Sequence, residues 1–329
     1  MKIAIVKLSA MGDIVHAMVA LQFLKKADPS LQIDWVVEEG FAGVLEGNPH
    51  IDNILPVNLK AIKKNKMALF TEIKRIKSYA KNNYDLVIDA QGLIKSAITA
   101  KLLGKKVVGF SKNSIREGFA SYFYTQTIDI PYEKNAIERN MKVLCEPLHI
   151  TVSQEDILQK EKFLYFSNDK TYKKENESYV LLVVGASVPN KMYPKEKFLA
   201  LAESMEENIV AVWGNEAEKE IALYLTKNTE NVTISPKLTL NALKRTIAHA
   251  KLVIGGDTGP THMAWGLNVP SITLFGNTPS ERNTYITDIN KVICSETKVD
   301  AVRLDKSDFS IREIDPGEIT SIAKEILDA

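Results

Sequence analysis

Cysteine is nearly missing. Cys145 and Cys294 are the two in 329 residues, too few and too far apart for a disulfide framework or a thiolate metal site. They imply a reducing compartment and thiols without a chemical task. No apolar run approaches the roughly 20 residues that a membrane span needs. The N-terminal run Ile3–Val6 is interrupted by Lys7, short of a signal-peptide core. Both absences lead us to expect a cytoplasmic chain. Net charge is also small: 42 Lys plus Arg against 41 Asp plus Glu leave +1, so no global field attracts nucleic acid. There is no G-x-G-x-x-G after the first apolar run, no G-x-x-x-x-G-K-[ST] and no G-x-S-x-G. A dinucleotide dehydrogenase, a P-loop NTPase and a hydrolase with a nucleophile elbow are therefore disfavoured. No His/Cys/Asp group has metal-ligand spacing, so neither a metal nor another cofactor is expected.

What remains is an ordinary soluble composition, 45% hydrophobic and 25% charged, in a chain long enough for two domains. Val/Ile-rich runs alternate with amphipathic stretches, the pattern of an α/β protein with mainly parallel strands. In the first half the runs predict strands at Ile3–Val6, Gln32–Val37, Asn53–Val57, Leu86–Asp89 and Val107–Phe110. Helices are predicted at Asp13–Ala27, Met67–Asn82, Leu93–Leu103 and Asn135–Leu148. The pattern restarts with strands at Tyr179–Val184, Ile209–Trp213, Val232–Ile234, Leu252–Ile254 and Ser271–Phe275. The helices between them are Lys195–Glu206, Glu216–Lys227, Thr239–Ala250 and Thr258–Leu267. Two doubly wound, Rossmann-like domains facing a cleft are expected, one over residues 1–150 and the other over 179–314. A polar connection, 151–178, joins them and carries an apolar island, Phe163–Phe166, long enough for a short strand. A last helix, within 315–329, has Asp315 placed to cap it, Pro316 at its first position and Glu318 at capping-box spacing. It can pack on either domain.

Ligands of such sheets bind beyond the strand carboxyl ends, and the residues there carry the chemistry. Asp257-Thr258-Gly259-Pro260-Thr261-His262 follows a buried strand and opens a short helix. Its free N–H groups and positive helix end suit a phosphate, although a plain capped helix with a satisfied histidine explains the same residues. Gly185–Lys191 is a loop of small residues in which Ser187 and Lys191 can meet phosphate charge, or simply be solvated. Glu218, after the strand ending in Trp213, can hold ribose hydroxyls or be an exposed helix residue. Asp13 opens the first helix; it is either a first-turn charge complementing the dipole or an ionised general base. Lys60, Lys63, Lys64 and Lys66 cluster after a strand, and Arg116 precedes Phe119, Tyr122, Phe123 and Tyr124. These are a solvated face or a surface for an anionic amphiphile.

Lys7-x-Ser9-x-x-Gly12-Asp13 together with Asp257-Thr258-Gly259-x-x-His262 resembles the ADP-heptose:lipopolysaccharide heptosyltransferases. The likeness is greater to the type I branch, which adds the first inner-core heptose. Asp34–Ala42, Val87–Ser96 and Arg116-Glu117 support it, in order along nearly the whole chain. The resemblance implies a glycosyltransferase B-type fold. It also implies inverting transfer of L-glycero-D-manno-heptose from ADP-heptose to a Kdo residue of Kdo-lipid A at the inner face of the inner membrane, touched peripherally. By the same resemblance Asp13 is the base, and Ser187, Lys191, Asp257, Thr258, Gly259 and His262 meet the donor's phosphates and sugar. Glu218 meets its ribose and Leu238 its adenine; Lys60, Lys63, Lys64 and Arg116 meet the acceptor. Val19 stands where the family's first helix commonly has proline. A heptosyltransferase II-like enzyme, a nucleotide-sugar hydrolase or epimerase, and a nucleotide-binding adaptor are the other readings.

Overall fold

Parallel strands covered on both faces need apolar side chains on both faces, and the Val/Ile-rich runs supply them. The computed structural model describes residues 1–167 and 178–328. It divides into two compact units, Met1–Tyr165 and Phe166–Ala329. Of the expected connection 151–178, residues 168–177 lie outside the described ones, as does residue 329 of the expected terminal helix.

The first unit holds β1 (Lys2–Val6), β2 (Gln32–Glu38), β3 (Asn53–Val57), β4 (Leu86–Asp89), β5 (Val107–Phe110) and β6 (Gln126–Ile128). They form one sheet in the order β3-β2-β1-β4-β5-β6, every pairing parallel. The second unit holds β7 (Val180–Val183), β8 (Ile209–Val212), β9 (Val232–Ile234), β10 (Leu252–Gly256), β11 (Ser271–Phe275) and β12 (Asn290–Cys294). Its order is β12-β11-β10-β7-β8-β9, again all parallel. Read from the first strand of each unit, both sheets have the same doubly wound Rossmann order. The strand order reverses between β1 and β4 in one unit and between β7 and β10 in the other.

The cores follow from these strands. Val6, Leu8, Val36, Val87 and Val107 pack with Ala100 and Leu103 of the helix Ile94–Leu103 in the first unit. Leu182, Ile254 and Leu274 pack with Phe198 in the second. The terminal helix, Pro316–Leu327, joins that second core through the fully buried Ile319 and Ala323, which decides what the sequence left open. Burying a large aliphatic such as Ile319 is worth roughly 1.5–3 kcal/mol, enough to dock a terminal helix.

Four details differ from expectation. Strands β6 and β12 are additional to the ten expected; each lies at a sheet edge and mixes polar residues with its Val or Ile. The first helix is two, Met11–Met18 and Ala20–Ala27, interrupted at Val19. Val19 retains its N–H, so the interruption does not come from a missing donor of the proline kind. Phe163 and Leu164 are buried without forming a strand. Asp315 occupies the cap position of the last helix, but its side chain makes no capping hydrogen bond. No helix among the described residues is long and apolar enough to cross a membrane.

Candidate active site

At the carboxyl edge of the second sheet, β10 runs through Gly255-Gly256 into Asp257 and the helix Gly259–Gly266. The Asp257 carboxylate is buried and accepts four hydrogen bonds. Lys191 Nζ lies 2.6 Å and Thr278 Oγ1 2.9 Å from Oδ2, with Asn283 Nδ2 at 3.1 Å from the same oxygen. His262 Nε2 lies 2.9 Å from Oδ1. Burial raises a carboxyl pKa, but the His262 hydrogen bond and the Lys191 ammonium outweigh it and hold Asp257 well below the usual carboxylate range. The carboxylate is thus an internal counter-ion that fixes Lys191, which sits in the loop after β7. Lys191 and Asp257 together span the gap between β7 and β10, where this sheet's strand order reverses.

Beside this pair the helix start is open. Thr258 is at the cap position, yet its hydroxyl does not cap; it lies 3.3 Å from Thr261 Oγ1. The N–H groups of Thr258, Gly259 and Thr261 find no acceptor among the described residues, and Pro260 has none to satisfy. Three unspent donors at the positive end of a helix make an anion cradle. His262 is buried against Asp257 and so serves first to orient that carboxylate. Ser187 is exposed in the loop that carries Lys191, and its hydroxyl has no protein partner among the described residues.

Glu218 lies one strand further along. It opens the helix Glu216–Asn228, where Oε2 accepts the Gly214 N–H at 2.7 Å and Oε1 accepts from Asn215 Nδ2 at 2.7 Å. A Cβ on Gly185 would overlap this carboxylate, so the Glu218 head lies against the end of β7 rather than out in solvent. Leu238 is half-buried in the loop after β9, a loop tied to β8 by Trp213 Nε1 donating to the Ser235 C=O at 2.9 Å. Ser187, Lys191, Glu218, Leu238 and Asp257–His262 therefore all stand on the loops at one edge of one sheet.

In the first unit Asp13 is exposed near the start of the helix Met11–Met18 and accepts the Ala10 N–H at 3.1 Å. Lys60 and Lys63 lie in the 3-10 turn Leu59–Lys63, with Lys64 next to it, all exposed. The turn is linked to the Asp13 loop through Glu38. The Glu38 side chain accepts the Lys60 N–H, and its own N–H donates to the Leu8 C=O at 3.1 Å. Burial raises the Glu38 carboxyl pKa, partly offset by the Lys95 charge and the Lys60 N–H, and its Oε1 has no hydrogen-bond partner. Arg116 is exposed 5.1 Å from the Tyr132 ring. Its neighbour Glu117 accepts the Ile94 N–H at 2.7 Å, which places that segment beside the loop after β4. Of the aromatics after Arg116, Phe119 and Tyr122 are exposed, whereas Tyr124 turns inward to Asp89 Oδ2 at 2.7 Å.

Sequence reasoning missed Thr278, Asn283, Glu38 and Gln91. Thr278 lies in the polar loop after β11 and Asn283 ends the short helix Ser280–Asn283 that follows, and a strand leading into Gly276-Asn277-Thr278 was the available signal.

The model of glycosyltransferase family 9 (heptosyltransferase) matches residues 73–308. The chain belongs to this family. The heptosyltransferase-family enzyme is 38% identical to lipopolysaccharide heptosyltransferase 1 of Campylobacter coli, with 99% of each chain covered. It is 34% identical to the Pseudomonas aeruginosa protein of that name, over 84% of this chain and 79% of the relative. Among solved structures it is similar to E. coli heptosyltransferase WaaC with ADP, at 27% identity and a TM-score of 0.83, covering 99% of this chain and 100% of that one. WaaC with ADP-2-deoxy-2-fluoro heptose gives 26% and 0.81, with 99% of both covered. The fold of this glycosyltransferase is accordingly of the B type.

Because the folded-state pKa of Asp257 is depressed, its stabilising contribution is complete above the unfolded value near 3.8 and is lost as pH falls below it. Asp257→Asn is expected to destabilise the enzyme at pH 7 by up to about 3 kcal/mol, as breaking one partner out of a buried pair does. The gap to wild type should narrow on going from pH 5 to about pH 2. Denaturant melts across that range check this, and a pH-independent gap would remove the ion pair as its source.

Proposed function

We propose that this glycosyltransferase moves L-glycero-D-manno-heptose from ADP-heptose onto a Kdo residue of Kdo-lipid A in inner-core synthesis. The observation that carries the reading is the full-length match to a lipopolysaccharide heptosyltransferase 1, with 99% of both chains covered. The donor edge supports it. Thr258, Gly259 and Thr261 offer N–H groups to the diphosphate, Lys191 offers its charge, and Ser187 offers a hydroxyl beside them. The ammonium is already placed by Asp257, which His262 orients. Glu218 takes the ribose hydroxyls and Leu238 lies under the adenine.

On the acceptor side, Asp13 is the general base. It removes the proton from a Kdo hydroxyl as that oxygen attacks the anomeric carbon, and ADP leaves from the opposite face with inversion. The transition state is oxocarbenium-like, and charge gathering on the leaving diphosphate is met by donors fixed in advance, which need not reorganise. Lys60, Lys63, Lys64 and Arg116 hold the anionic acceptor. The same face meets the inner leaflet. Met67 and Phe70, close to the lysines in sequence, and Phe119 and Tyr122, on the segment after Arg116, are exposed, an apolar and basic mixture suited to an anionic lipid surface.

ADP release from ADP-heptose in EDTA is expected only when Kdo-lipid A is present. Equal release without acceptor would turn the reading into a hydrolase, and release only with a heptosylated core would reassign the acceptor. Asp13→Asn should lose about 10²–10⁴-fold in turnover, the usual worth of a general base, with ADP affinity retained. Near-normal turnover removes Asp13 from that role. Replacing Lys60, Lys63 and Lys64 together by Ala should weaken binding to anionic vesicles by about 1 kcal/mol per charge; binding equal to wild type would mean that the lysines serve the acceptor alone.

A further inference from the structure

The loop that delivers Asp13 is held from both flanks. Trp35 Nε1 donates to the Lys7 C=O at 3.2 Å, and the Glu38 N–H donates to the Leu8 C=O. From the other flank, Gln91 Oε1 accepts the N–H groups of Leu8 at 2.9 Å and Ser9 at 3.0 Å. Gln91 follows β4 and the loop follows β1, so this one side chain spans the place where the first sheet reverses its strand order. Ligands of doubly wound sheets bind at that place.

Both partners of Gln91 Oε1 are backbone donors. The amide must therefore present its carbonyl to the loop, and its orientation is decided by chemistry. Its backbone is equally fixed. The N–H groups of Gln91 and Gly92 donate to Asp89 Oδ1 at 2.9 and 3.2 Å, while Ser96 and Tyr124 hydroxyls hold Oδ2 at 2.8 and 2.7 Å. Gly92 completes this turn at φ +72°, where a Cβ would also meet Ile115 Cγ2 at 2.6 Å. The opposite end of the amide, Nε2, carries two donors that find no acceptor among the described residues, and the side chain is half-buried rather than sealed off. A carboxylate in this position would grip the two N–H groups more strongly. It would also repel an anion beside Asp13. An amide keeps the grip and turns donors outward, which fits an anionic sugar.

We propose that Gln91 is a positioning residue for the acceptor: Oε1 holds the Asp13 loop, while Nε2 donates to a carboxylate or hydroxyl oxygen of the acceptor sugar. This rests on the reading of the first unit as the acceptor side. Gln91→Glu preserves the carbonyl grip and replaces the outward donors by an acceptor and a charge. Gln91→Ala removes both functions.

Steady-state kinetics on both variants, with ADP-heptose and Kdo-lipid A varied in turn, test the proposal. Melting temperature and ADP affinity serve as the check on folding. Gln91→Glu is expected to raise the acceptor KM by roughly 10–100-fold, as losing a hydrogen bond to a charged group does, with the donor KM unmoved. That rise should exceed the fall in kcat. Gln91→Ala should show the same acceptor effect together with a larger kcat loss, because the loop is released. An acceptor KM at the wild-type value in Gln91→Glu overturns the proposal and leaves Gln91 a loop clamp. Should Gln91→Glu not fold, Gln91→Ala decides: a reduced kcat with unchanged acceptor KM overturns the proposal, and a raised acceptor KM supports it. Failure of the wild-type enzyme to release ADP with any acceptor is a different result. It defeats the transfer reading itself and this proposal with it.

Discussion

The buried Asp257 carboxylate is the contact on which the donor edge depends. An ionised carboxylate is costly to bury unless its lone pairs are filled. Here four donors from four places in the sequence fill them: Lys191, His262, Thr278 and Asn283. Each of those side chains is drawn to one point and fixed there. The loop after β7, the first turn of the helix Gly259–Gly266 and the loop after β11 are thereby tied together. Charge at this edge of the sheet is thereby set in advance, and preorganisation of that kind favours charge developing on a bound anion.

The first unit meets the same geometric problem with an amide and a buried ammonium, Lys7 Nζ donating to the Ala90 C=O at 2.8 Å and to Asn140 Oδ1 at 3.2 Å. Its sheet has the same strand order, and its reversal point is spanned by an amide that accepts two backbone N–H groups. At the second unit's reversal point the contact is an ion pair, Lys191 Nζ lying 2.6 Å from the buried Asp257 carboxylate. Equal topology therefore carries two different sets of contacts at the two reversal points.

Central strands were legible because parallel strands buried on both faces must be apolar throughout, and the ten expected runs all became strands. The edges were not. Gln126–Ile128 and Asn290–Cys294 pair on one side only and carry polar residues at exposed or partly exposed positions, so nothing in their composition separates them from loops. The Asp257–His262 helix start was legible because it directly follows an apolar strand, and Asp13 and Lys191 because each lies in the segment between an apolar strand and the next helix. Gln91, Thr278 and Glu38 also lie at or just past strand ends, and Asn283 ends a short helix, but Gln, Thr, Glu and Asn are ordinary surface residues at such places. Their significance comes from which atoms they meet.

The sequence by itself determined the two α/β units, the position of the helix start that offers free N–H groups, and the family to which the chain belongs. These depend on local patterning and on motif order, both of which are linear. Only the tertiary structure decided that Asp257 is saturated with donors, that His262 faces the carboxylate, that Thr258 leaves its helix uncapped and that Gln91 grips the Asp13 loop. Those outcomes join residues as far as 83 positions apart, as Leu8 and Gln91 are. They become contacts only because parallel pairing brings distant strand ends to a common edge.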